Sequence, residues 1–79
     1  MSNTSFIIAV QNSHGGWNKA GMVKRAIRSV PDADFIKMFP KGTKSYNEVL
    51  KACKWIDQES ATSVDLTVRG TTIVRVHKI

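Results

Sequence analysis

At 79 residues the chain has room for one domain, residues 1–79, with a single modest core. Its ordinary apolar share argues against disorder, and its longest apolar run, Phe6 to Val10, is too short to span a membrane. One cysteine, Cys53, excludes an internal disulfide framework and a cysteine-based zinc site, and the net charge of +6 points toward anionic partners.

The opening residues, "MSNTSF", carry no basic segment before the apolar run and do not read as a secretory signal. The expected setting is therefore cytoplasmic. Residues Ser5 to Gln11 are apolar on both strand faces, with Phe6, Ile8 and Val10 on one and Ile7 and Ala9 on the other. That predicts a central strand. The loop "SHGGW" follows. Asn18 is a good helix N-cap, and Ala20, Val23, Ile27 and Val30 then recur at helical spacing. A helix is expected from Asn18 until Pro31 ends it. In Ala33 to Phe39, the alternation of Phe35, Lys37 and Phe39 with Ile36 and Met38 predicts a second strand, and Pro40 to Gly42 a turn. A further short strand fits at Thr43 and Lys44. "SYNE", Ser45 to Glu48, matches a capping box, and Val49, Leu50, Ala52, Cys53 and Ile56 form the stripe of a second helix. Val64, Leu66 and Val68 alternate with Asp65, Thr67 and Arg69 as a strand. "RGTT" reads as a hairpin connection, and residues 72–79 as a last strand. The order β-α-β-(β)-α-β-β predicts an α+β two-layer open-faced sandwich. Two helices would pack on one face of a mostly antiparallel four-stranded sheet.

The charges are unevenly placed. Residues 1–31 carry Lys19, Lys24, Arg25 and Arg28 and no acid, and residues 66–79 carry Arg69, Arg75 and Lys78 and no acid. All the carboxylates lie between Asp32 and Asp65. If the two ends meet in space, the domain has a basic face suited to an acidic protein surface or to nucleic acid. The plainer reading is a solubilising charge excess.

The run "GWNKAGMVKRAIRSV", followed by "ADFIKMFPKGTKSYNEVLKACKWI" and "SVDLTVRG", resembles the histidine-containing phosphocarrier (HPr) family over roughly residues 6–70. The resemblance implies an HPr-like fold and partner docking through the first loop and the helix after it. It also aligns the family's phosphorylated histidine with Asn18, and the arginine and proline that follow with Ala20 and Gly21. Asparagine cannot carry the phosphoryl group, and Ala20 cannot pair with a phosphate. The family's regulatory serine falls near Glu48, where a negative charge imitates phosphoserine or simply closes a capping box. The family's C-terminal helix is replaced by "TTIVRVHKI". On this resemblance the chain is a non-catalytic variant.

The remaining candidates weigh as follows. His14 is a nucleophilic imidazole in a loop, open to a phosphocarrier role but most simply a solvent-exposed residue. His77 reads as a surface residue of the last strand. Gly15, Gly16, Lys19 and the amides of the expected helix start suit an anion, but no nucleotide-binding motif is present. Trp17 is either a hydrophobic staple against Met22 or an exposed interface anchor. Trp55 lies off the apolar stripe and should be partly exposed, while Cys53 belongs in the core. No carboxylate pair, nucleophile–base arrangement or cofactor motif stands out. The sequence therefore reads as a non-enzymatic, cofactor-free binding or regulatory module of accessory or phage type. Its expected docking residues are Trp17, Asn18, Lys19, Lys24, Arg25 and Arg28, engaging an acidic protein surface, with nucleic acid as the alternative. It is expected to be a monomer or a weak homodimer formed by strand pairing.

Overall fold

The computed structural model describes residues 4–25 and 29–79, apart from the side chains of Arg25 and Ser29. In chain order the elements are β1 (Ser5–Gln11), β2 (Trp17–Arg25), β3 (Ser29–Pro31), α1 (Ala33–Met38), α2 (Lys44–Glu59), β4 (Ser63–Val68) and β5 (Thr72–Lys78). The strands form one sheet in the order β3-β2-β1-β5-β4, and every neighbouring pair is antiparallel. The α+β class and the two helices agree with the sequence reading. The sheet has five strands where four were expected, and the element order differs.

β1 is central, as its two apolar faces predict. It pairs with β2 on one side and β5 on the other. Residues directly opposite in an antiparallel pair share a face. Phe6 faces Val23, Ile8 faces Gly21 and Val76, and Val10 faces Val74. These inward side chains join Phe35 and Phe39 at α1 and Val49, Cys53 and Ile56 of α2 in one buried cluster. Cys53 is fully enclosed, as expected. The alternate residues Ile7, Ala9, Met22 and Ile73 lie outside that cluster, on the sheet's outer face.

The helix expected from Asn18 to Val30 is instead a strand as far as Arg25. The misleading feature is a β-bulge. Ala9 pairs with Lys19 but Ile8 pairs with Gly21, so Ala20 is the extra residue. The bulge resets the alternation, so Ala20 and Val23 are both buried three residues apart, which imitates a helical stripe. Gly21, with φ +146°, shows what the bulge accommodates. A Cβ there would sit 2.5 Å from the backbone nitrogen of Phe35, so only glycine lets α1 lie this close to β2. The expected continuation of the helix through Ala26, Ile27 and Arg28 lies outside the described residues.

The strand expected at Ala33 to Phe39 is instead the short helix α1. A strand would have put Lys37 on the same face as Phe35 and Phe39. The i, i+4 spacing of the two phenylalanines lets both be buried while Lys37 stays exposed. Asp32 starts the helix, its Oδ1 accepting the Phe35 N–H at 2.9 Å. The two rings meet at 5.2 Å.

The cap of α2 also moves. Thr43, not Ser45, is the N-cap, its hydroxyl accepting the Tyr46 N–H at 3.3 Å and donating to the Pro40 carbonyl at 2.7 Å. Ser45 lies within the helix and is buried, and Thr43 and Lys44 form no strand. The helix ends at Ser60 in the left-handed region. β4 and β5 form the expected hairpin, closed by Arg69 and Gly70 at positive φ. Among the described residues, no helix is long and apolar enough to cross a membrane.

Candidate binding face

The loop "SHGGW" proves to be the hairpin turn between β1 and β2. Asn12 organises it: its Oδ1 accepts the N–H groups of His14 at 2.9 Å and Gly16 at 3.0 Å. Its own N–H donates to the Gly16 carbonyl at 2.8 Å. The turn leads into β2, so the first-turn helix amides expected to help hold an anion are not there. His14 sits exposed at the tip of this turn.

β2 distributes the expected docking residues by strand alternation. Trp17 lies opposite Gln11, Lys19 opposite Ala9, and Lys24 opposite Ser5, all on the outer face. Asn18 lies opposite Val10 and belongs to the other side. Arg25 pairs through its backbone with Ser29, while its side chain and all of Arg28 lie outside the described residues. The basic helical ridge of Lys19, Lys24, Arg25 and Arg28 is thus replaced by a strand that presents Trp17, Lys19 and Lys24 together. Trp17 is no staple on Met22, because both belong to one strand.

β5 completes the group. Ala9 of β1 lies opposite Arg75 as well as Lys19, and Arg75 lies opposite Asp65 of β4. One row across the sheet therefore reads Lys19, Ala9, Arg75, Asp65. The Arg75 guanidinium grips the Asp65 carboxylate with two bonds, Nε to Oδ1 at 2.8 Å and Nη2 to Oδ2 at 3.0 Å. The same guanidinium lies 4.2 Å from the centre of the Trp17 ring. A cation over an indole face is attracted by the ring quadrupole, so Trp17 and Asp65 together fix the arginine's plane. His77 stands in the neighbouring row, opposite Ile7 and Ser63.

The hydrogen bonds from Arg75, followed by its charge, hold the Asp65 carboxyl below its ordinary range; the same bonds raise Arg75. Both side chains remain nearly half exposed, at 43% and 45%, so solvent screens the pair and its main effect is orientation. Trp17 is exposed to 36% despite the arginine over it. Of the basic residues at the two ends of the sequence, Lys19, Lys24 and Arg75 share the outer face across β1, whereas Lys78 lies opposite Phe6 and Arg69 lies in the β4–β5 turn.

Arg75 and Asp65 were not singled out from the sequence, although the signal was present. The predicted "RGTT" hairpin turns about Gly70, which places residues five positions either side of it opposite one another. Trp55 is exposed to 49%, as anticipated, but lies on α2 beside β4 and does not join Trp17. No family model, curated protein or solved structure matches this chain.

Proposed function

We propose that the protein is a small non-enzymatic binding module, an open-faced sandwich that docks an acidic protein surface through its outer sheet face. The observation that carries this reading is the Arg75 guanidinium held between Trp17 and Asp65, with Lys19 in the same row. A pre-oriented arginine and an exposed indole lose little freedom on binding, which is why such residues dominate the energetics of interfaces. Lys24 extends the positive face, while Ile7, Ala9 and Met22 supply apolar area between the charges. Docking through a loop and a following helix, as the phosphocarrier resemblance implied, gives way to docking through strands.

A second reading, nucleic acid on the same face, is favoured by the same stack: an indole and a guanidinium beside a lysine suit bases and phosphates. The two readings separate in one experiment. The tagged protein and its Lys19→Glu/Lys24→Glu variant are used as baits, with and without nuclease, and circular dichroism checks that the variant folds. Capture of a protein that survives nuclease and is lost with the variant supports the main reading. Capture abolished by nuclease, with affinity falling steeply as salt rises, supports the second. Equal capture by the folded variant removes the outer face from both.

A further inference from the structure

β4 is an outer strand of the sheet, so the backbone N–H and C=O groups on its far side have no strand to pair with among the described residues. Along that edge runs a groove walled by Glu48, Lys51, Ala52 and Trp55 of α2 and floored by Leu66 and Thr67 of β4; Lys51, Lys44 and Arg69 outnumber Glu48 and leave it net positive. The α2 residues recur at helical spacing on the flank of the helix that overlooks the edge. One end of the groove is apolar, with Ala52, Leu66 and the exposed Trp55. Toward the β4–β5 turn the surface becomes basic, lined by Lys44 and Arg69. Glu48 also lies there, 3.9 Å from Lys44.

We propose that the β4 edge and this groove take an extended acidic peptide of a partner protein as a sixth strand. The open backbone groups supply a ladder of hydrogen bonds that any sequence can use, and the side-chain pockets supply selectivity. Successive same-face residues of a strand lie two positions apart. The peptide therefore needs an apolar residue under Trp55, a carboxylate two positions along facing Lys51, and a further carboxylate toward the β4–β5 turn facing Lys44. Charge also opposes a second copy of this chain as occupant, because both copies carry a net charge of +6 and repel. This surface is separate from the outer sheet face, and the proposal stands or falls independently of the reading given to that face.

The test uses two fluorescein-labelled nonapeptides, one alternating isoleucine with glutamate and one alternating isoleucine with lysine. The acidic peptide is expected to bind and the basic one to fail. Binding should protect β4 amides from hydrogen exchange and shift Trp55 emission in a Trp17→Phe background. Trp55→Ala and Lys51→Glu, both at exposed positions, should each weaken binding by about tenfold without lowering the melting temperature. Lys19→Glu, on the other face, should leave it unchanged. The proposal is overturned if neither peptide binds at millimolar concentration, if both bind equally, or if protection falls on strands other than β4. Concentration-dependent dimerisation of the free protein that Trp55→Ala abolishes would assign the edge to self-association instead.

Discussion

Arg75 makes the most of its position of any single residue on the outer face. It stacks on an aromatic ring and binds a carboxylate at the same time, which fixes a group that would otherwise sample many rotamers. This arrangement depends on Asp65 being ionised. The carboxyl titrates below its ordinary value in the folded protein, so its contribution to stability is complete above about pH 4, the unfolded value. That contribution is lost as the pH falls through the lowered folded value. Asp65→Asn should therefore lower the melting temperature at neutral pH by the small amount a solvent-screened pair contributes and flatten the acid limb below about pH 4, so that the two proteins converge in acid. In a Trp55→Phe background, Trp17 emission should shift over the same acid range in the wild type and stay flat in the Asp65→Asn variant. An unchanged acid limb would show that the pair contributes nothing to folding. Of this cluster, Lys19 was legible as a basic surface residue and Trp17 as either a staple or an exposed anchor. Their company was not, because strand register decides neighbours and register here depends on a bulge that no local pattern announces.

At the scale of elements, α2, β4 and β5 were legible because each has one dominant periodicity, and β1 because a short run apolar on both faces suits a central strand. β2 and α1 were exchanged, strand for helix and helix for strand, and both errors come from short segments that satisfy two periods. Phe35, Lys37 and Phe39 alternate as a strand does, yet Phe35 and Phe39 are also one helical turn apart. What separates the two readings is the start signal: Asp32, directly after Pro31, holds the Phe35 N–H and leaves no need for a strand partner. Asp32→Ala should cost about 1 kcal/mol in urea unfolding, and Asp32→Asn much less, since asparagine caps nearly as well. A loss with Asn equal to that with Ala would mean that charge, not the cap bond, is what matters. α1 is anchored at its other end as well. Arg69, from the β4–β5 turn, donates to the Met38 carbonyl at 3.1 Å and lies 5.7 Å from the centre of the Phe39 ring. Thus the hairpin turn holds the end of a helix that packs against β2.

For the whole molecule, the sheet is two pieces joined at one seam. β1, β2 and β3 are linked through a tight turn and a short connection, β4 and β5 through a hairpin, and β1 pairing with β5 unites them. β1 is bonded on both sides and carries the fully buried Phe6 and Ile8, so its amides should be the last to exchange with deuterium. Those of the outer strands β3 and β4 should exchange sooner. Fast exchange along β1 and β5 together, with β1–β2 protected, would mean that the seam opens as a unit before the rest unfolds. The seam also governs how the chain is made. Synthesis runs from β1 toward β5, yet β5 is the strand that lies between β1 and β4 and brings Val74 and Val76 to the core. A nascent chain that has not yet released Thr72 from the ribosome holds β1 and β4 with the strand between them missing. The sheet can be completed only when that last insertion is made, so folding must wait until the final strand has emerged.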